Sequence, residues 1–176
     1  MFHPRYVTLK NGQAALIRHA EPADAEGLIA HVNSVGAEGV YIMTEKLRMT
    51  ADEERTYLRS LDRESTLFMV ALVDGTIVAS SDFQRGRQTK NAHTASLGIA
   101  VAKGMRGVGL GRAMLEEGLR WAKSVGIRKL TLGVFATNTG AIALYRSLGF
   151  EEEARLKGQV ILGGRPVDEV LMCRWM

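Results

Sequence analysis

Cysteine is nearly absent from this 176-residue chain, which has only Cys173. One cysteine cannot close an internal disulfide or build a thiolate zinc cluster, so a disulfide-stapled secreted module is excluded. Proline is scarce too, at three residues, and no stretch rich in Pro, Gly or Ser divides the chain. There is no tandem repeat and no low-complexity segment. A single domain over 1–176 is the organisation to expect, with 1–12 as an N-terminal extension. No apolar run approaches the ~18–20 residues of a membrane-spanning helix. The opening Met1-Phe2-His3-Pro4-Arg5-Tyr6 has no apolar signal core. The expectation is a soluble cytoplasmic protein with no membrane contact. Aromatic residues are also few, at 6%. A single-strand nucleic-acid surface interleaves aromatics with basic residues, so that partner is not expected.

What is present is globular. Apolar residues make up 46% and charged residues 24%. A chain of this length can bury about 70% of its unfolded surface without covalent staples. The net charge is +4, and it is unevenly placed. Residues 103–129 hold seven Lys/Arg and two acids, a net of +5, which leaves −1 for the rest.

Ala15–Arg18 reads as a first strand. Glu21-Pro22-Ala23-Asp24 opens a helix to about Val35, with Pro early and acids in the first turn. Residues 36–43 are irregular. Thr50-Ala51-Asp52-Glu53 is a capping box that starts a second helix, reaching about Leu61. Leu67–Val73 and Thr76–Phe83 are strands joined at Asp74-Gly75, a hairpin signal. Ala92–Val101 is a third strand; Gly98 within it suggests a bulge or a close approach. Gly109–Val125 is an amphipathic helix stopped by Gly126, with Leu110, Met114, Leu115, Leu119 and Ala122 on its apolar face. Strand Lys129–Phe135, a helix over about Thr139–Leu148, and strands over about Glu151–Ile161 and Val167–Trp175 complete the chain. Ala92–Phe135 requires a parallel pair with a right-handed crossover.

Arg106-Gly107-Val108-Gly109-Leu110-Gly111 lies between a strand and a helix. Unpaired N–H groups at a helix start carry partial positive charge and suit a phosphate. A Walker A loop would end in Gly-Lys-Ser/Thr, whereas Gly111-Arg112-Ala113 stands here. A dinucleotide fingerprint is G-x-G-x-x-G, whereas the glycines here run G-x-G-x-G. The remaining pattern is Arg-x-x-Gly-x-Gly, on Arg106, Gly109 and Gly111.

That pattern resembles the pyrophosphate loop of the GNAT superfamily of acetyl-CoA-dependent N-acetyltransferases. Asn138-Thr139-Gly140-Ala141-Ile142-Ala143-Leu144-Tyr145-Arg146-Ser147-Leu148-Gly149-Phe150 is similar to that family's Asn-x-x-Ala-x-x-x-Tyr-x-x-x-Gly-Phe block. The order of elements over nearly the whole chain also matches. The resemblance implies an α/β (α+β) fold: a mixed central sheet of about six to seven strands, flanking helices and a splayed parallel strand pair. It implies acetyl-CoA as co-substrate, seated on backbone at Ile99, Ala100 and Val101. Its pyrophosphate would lie on Arg106, Gly107, Val108, Gly109, Leu110, Gly111 and Arg112. Arg112, Lys103 and Arg146 are candidate phosphate contacts, with ordinary surface charge as their alternative. Asn138 would orient it, and Tyr145 would protonate the departing thiolate. No metal and no acyl-enzyme are needed, since an amine attacks the thioester directly in a ternary complex.

An ammonium must lose its proton first. Relatives often place a glutamate on the strand before the glycine loop, but here that strand has no carboxylate. His93 lies about where the carboxylate of ribosomal-protein-alanine-type relatives sits, and is the candidate base. Its alternative is a strand-end histidine with no catalytic partner, and Asp82 and Ser96 are weaker substitutes. Glu38 and Glu45, in the region that lines the family's acceptor site, are candidate substrate-binding carboxylates; solvated loop acids are their alternative. Glu116 and Glu117 read as a solvated helix face, Cys173 as a small buried residue, and Trp121 and Trp175 as core or interface.

The acceptor expected is a small-molecule amine, an amino acid or an amino-bearing antibiotic. Protein N-termini of the ribosomal type, or lysine, stand second. A non-catalytic acyl-CoA sensor is a further alternative, against which Tyr145 argues. Relatives are often homodimers, so the terminal strands are a contact to expect, though no interface is legible in the sequence.

Overall fold

The computed structural model describes residues 2–176. Strands β1 (Arg5–Thr8) and β2 (Ala14–His19) open it, followed by α1 (Ala25–Gly36) and α2 (Ala51–Ser60). Then come β3 (Thr66–Val73), β4 (Thr76–Arg85), β5 (Thr94–Val101), α3 (Leu110–Ser124), β6 (Lys129–Phe135), α4 (Thr139–Ser147), β7 (Glu151–Leu162) and β8 (Arg165–Trp175). One eight-stranded sheet runs β1-β2-β3-β4-β5-β6-β8-β7. The eighth strand is β1, within the residues expected to form only an extension; Tyr6 pairs with Leu16.

Local signals set the ends of several elements. Thr50 Oγ1 accepts from the Glu53 N–H at 3.3 Å, while Glu53 Oε2 accepts from the Thr50 N–H at 2.7 Å. This reciprocal cap starts α2. Asp74 and Gly75 both have positive φ, 49° and 76°. That backbone twist matches the flanking strands and closes the β3–β4 hairpin. Of the two readings of Gly98, the bulge is not formed, since Asp82↔Gly98 is in regular register, and the close approach is, with Asp82 Oδ1 2.8 Å from where a Cβ would stand. The irregularity in this part of the sheet falls at Ala71/Leu72 in β3.

The sheet has helices on both faces. Phe83, Met114, Leu115, Trp121 and Leu130 belong to the large core under α3 and α4. Ala25, Leu28, Leu58 and Val70 form a smaller core under α1 and α2. Strand alternation divides them. Odd-numbered Phe83, Ala95 and Leu97 join the large core, while Ser80, Asp82, Gly98 and Ala100 line a cavity on the face of α1 and α2. Helix α3 reaches the sheet through Gly118, where a Cβ would stand 1.8 Å from Phe83 Cζ.

Two surface readings change. Glu117 is buried and paired with Arg5 at 2.7 Å and Arg120 at 2.5 Å, so it is not a solvated acid. Cys173 is half-buried, Trp121 is buried in the core, and Trp175 is exposed. Among the described residues, no helix is long and apolar enough to cross a membrane.

Candidate active site

The parallel pair β5–β6 is joined only over Thr94↔Lys129, Ala95↔Leu130 and Ser96↔Thr131. Beyond Ser96 the strands separate. β6 stays with β8 as far as Phe135↔Glu169, and β5 stays with β4 as far as Val101↔Ala79. The gap therefore has intact sheet on either side.

Backbone direction alternates along β5. Ala102 N–H bonds Val78 O, and the register runs Ser80↔Ala100, so even-numbered residues turn their polar groups toward β4. Odd-numbered residues turn theirs toward β6. Ile99 and Val101 thus present backbone to the gap, and Ala100 does not. His31 Nε2 lies 3.3 Å from the Ala100 carbonyl oxygen. Burial, with Arg106 nearby, holds His31 below the ordinary histidine range. A neutral ring can donate to that carbonyl. The Val101 carbonyl accepts from Arg106 Nε at 2.8 Å.

The glycine loop stands at the open end of the gap. Gly107 and Gly109 have φ of 75° and 94°, where a side chain would strain the backbone. Gly109 caps α3, and the first intrahelical bond runs from the Ala113 N–H to the Gly109 carbonyl at 3.1 Å. The N–H groups of Leu110, Gly111 and Arg112 precede that bond. Gly111 faces β5 and α4: a Cβ there would stand 3.5 Å from Leu144 Cδ2 and 3.8 Å from Val101 Cγ2.

The cationic segment proves only partly available to an anion. Arg106 donates to both Glu38 oxygens, at 2.8 and 2.5 Å, and lies 3.9 Å over the Tyr41 ring. Its side chain ties the loop to the segment after α1. Arg112 donates to Ser147 Oγ at 2.6 Å, joining α3 to α4. Arg120 is held by Glu117, and Lys129 by Glu153. Arg146 lies 3.8 Å from Glu152. Lys103 is exposed beside the loop.

Asn138 Oδ1 accepts from the Ala141 N–H at 3.2 Å, capping α4 directly after β6. Tyr145 on that helix is buried against Phe150, with ring centroids 5.9 Å apart. Burial pushes its phenol up to about 12.

On the opposite face lies a cavity of about 350 Å³. α1 supplies Leu28 and Val32; the segment after it supplies Ile42, Thr44, Leu47 and Met49. α2 supplies Glu54 and Tyr57, the sheet supplies Phe68, Ser80 and Asp82, and Gly98–Ala100 form the edge shared with the gap. Asp82 sits beside Gly98, where a Cβ would come 2.8 Å from Asp82 Oδ1. Asp82 Oδ2 accepts from Gln84 Nε2 at 2.9 Å. Burial raises the Asp82 carboxyl above its ordinary range against the pull of that bond, and burial alone raises Glu54.

The sequence-based candidates therefore separate. Ile99, Val101 and the loop from Arg106 to Arg112 border the gap. His93 does not join them. It stands in the turn before β5, with its carbonyl accepting from the Arg128 and Lys129 N–H groups. Four strand residues, 94–97, separate it from Gly98, at about 3.3 Å per residue. The strand begins at Thr94 because those two N–H groups anchor the parallel pair there. Glu38 is occupied by Arg106, and Glu45 is exposed and does not line the cavity. Their segment does form the wall, through apolar residues. Ser96, across from Gln84, is exposed. His31 and Glu54 were not singled out from sequence, although each interrupts an apolar helix stripe: His31 three residues after Leu28, Glu54 four before Leu58. Among the described residues, no group of three His, Cys, Asp or Glu is gathered as for a metal ion.

A helix N-terminus wrapped in glycine, at the mouth of two parting strands and backed by an acidic cavity, defines a class. It is a fold with a seat for a phosphate group at a strand gap and a cavity on the gap's edge. The chain belongs to the acetyltransferase (GNAT) family, whose model matches residues 38–150. It is 28% identical over 161 residues to the L-amino acid N-acetyltransferase AaaT of Escherichia coli (strain K12), covering 90% of this chain and 96% of that protein. The solved acetyltransferase of GNAT family from Streptococcus pneumoniae superposes with a TM-score of 0.86 at 29% identity, covering 92% of this chain and 99% of that one. The phosphinothricin acetyltransferase (Pat) of Sinorhizobium meliloti, solved in complex with AcCoA, gives a TM-score of 0.82 at 24% identity over 92% and 88% of the two chains. That last likeness is one of fold.

Proposed function

We propose that this protein moves the acetyl group of acetyl-CoA to a primary amine of a small molecule, by direct attack in a ternary complex. The observation that carries the reading is the gap between β5 and β6. It has unpaired helix N–H groups at its mouth and a carboxylate-bearing cavity on its edge. The name of the Escherichia coli relative supports a small amine acceptor, and membership of the acetyltransferase (GNAT) family supports acetyl-CoA as the co-substrate.

Acetyl-CoA supplies the activated thioester. Ile99 and Val101 offer backbone pairing in the gap, and the N–H groups of Leu110, Gly111 and Arg112, with Lys103, offer a seat for phosphate. Asp82 is the proton acceptor in place of His93. An alkyl ammonium has a pKa of about 10, so it must be deprotonated to attack. A carboxylate raised by burial is a better base than an ordinary one. The ammonium gives one proton to Asp82, the amine nitrogen then bonds to the thioester carbon, the carbon–sulfur bond breaks, and the second nitrogen proton is released through solvent, which balances the proton taken up by the thiolate. By its match to the family's Asn-x-x-Ala-x-x-x-Tyr-x-x-x-Gly-Phe block, Tyr145 meets the leaving sulfur and protonates the departing thiolate.

The test is thiol release from acetyl-CoA across a panel of small amines and peptide N-termini. Release with small amines is the expected outcome, and release with peptide N-termini alone rejects the small-molecule acceptor. Tyr145→Phe should lower kcat about 10–100-fold with little change in acetyl-CoA binding. An unchanged kcat removes Tyr145 from the reaction.

A further inference from the structure

We infer that the acceptor is a primary amine with an apolar chain and no α-carboxylate, so that the pocket selects against amino acids. This rests on the acetyl-transfer reading and narrows its acceptor.

The cavity has two kinds of wall. Ile42, Leu47, Met49 and Phe68 offer apolar surface for a chain. Glu54 and Asp82 are the charged groups on it, and both are acids. In an α-amino acid the carboxylate is two bonds from the nitrogen. Any pose that brings the ammonium to Asp82 therefore carries the carboxylate into the same chamber. Among the described residues, no Lys, Arg or His lines that chamber.

Of the cations around it, Arg106 and His31 are engaged, and Arg87 is exposed within reach of Tyr57. Arg106 is locked by Glu38 and by the Val101 carbonyl. His31 faces the Ala100 carbonyl and is held toward its neutral form. Arg87 is exposed, and its field reaches the Tyr57 hydroxyl. Burial raises both the Asp82 and the Glu54 carboxyl, with the Gln84 hydrogen bond opposing it at Asp82. The field is one that attracts an ammonium and repels a carboxylate. A buried carboxylate without a partner is strongly disfavoured.

The experiment compares acceptors that differ only in that carboxylate: 3-methylbutylamine against leucine, and phenethylamine against phenylalanine. The readout is kcat/KM from thiol release with acetyl-CoA. The amine of each pair should be favoured by at least about 100-fold, because rejection of an unpaired charge is steeper than rejection of a methylene. Leucine methyl ester, which keeps the bulk and loses the charge, should recover most of the activity of the amine. Glu54→Gln should narrow the gap between amine and amino acid. Equal or better use of the amino acid in either pair overturns the inference while leaving acetyl transfer standing. If no acceptor releases thiol, the transfer reading fails, and calorimetry on the full chain with CoA decides the acceptor separately. Saturable heat from 3-methylbutylamine and none from leucine supports the inference; no heat from either, or heat from leucine, overturns it.

Discussion

Removing Glu38 tests whether Arg106 is a strut or a phosphate ligand. Arg106 grips both Glu38 oxygens, at 2.8 and 2.5 Å, while its Nε holds the Val101 carbonyl. The two side chains are 25% and 24% exposed. Hydrogen bonds to charged groups contribute ~1.5–3 kcal/mol each when buried, and solvent screening reduces this pair to about 1–2 kcal/mol in total. Glu38→Gln and Arg106→Gln should each lower stability by about that amount in urea unfolding. The double variant should lose little more, giving a coupling of about 1–2 kcal/mol. The pH dependence has a definite sign. Arg106 holds the Glu38 carboxyl below its ordinary value of 4.5. The pair's contribution is full above that value and is lost as pH falls through the depressed one. Glu38→Gln removes this acid-side loss. Acetyl-CoA KM should rise only a few-fold in either single variant, with an unchanged salt dependence, because Arg106 is already engaged. A tenfold or greater rise confined to Arg106→Gln, with a flattened salt dependence, refutes the strut: Arg106 would then leave Glu38 to take the phosphate.

Three further outcomes follow from particular contacts. Gly118→Ala sets a Cβ 1.8 Å from Phe83 Cζ at the centre of the α3–β4 packing, and should cost about 3 kcal/mol or more, seen as a lower melting temperature. His93→Ala should leave the pH–rate profile unaltered, since the residue lies in the turn ahead of β5; an alkaline shift would restore it as the base. Asp82→Asn should lower kcat/KM by about 10²–10⁴ and remove the acidic limb of its profile. The same variant should melt above the wild type at neutral pH. The folded Asp82 carboxyl is raised, so the native state binds more protons between 3.8 and the raised value, and stability falls as pH rises through that window. A gain that persists at low pH contradicts this origin.

Features carried by neighbouring residues were legible in the sequence. The cap at Thr50 and Glu53 and the turn at Asp74-Gly75 each depend on a few consecutive positions, and formed as the residues implied. The glycine loop was legible for the same reason, because its backbone sets its own shape. Pairings that depend on register were not. Arg106 looks like a phosphate cation until Glu38, 68 positions away, is brought beside it. His93 looks like a strand residue near the site until the β5–β6 ladder shows where β5 begins. Asp82 gains its place from standing opposite Gly98, whose missing side chain leaves it room. Yet the cavity does leave a trace in the sequence. A charged or titratable residue on an apolar helix stripe must face a polar partner or a space for one, because burying it alone is costly. His31 meets the first condition at the Ala100 carbonyl. The Glu54 carboxyl is raised by burial, and it lines the cavity beside Asp82 and Gly98. Its place on the buried face of α2 is the mark that the cavity leaves in the sequence.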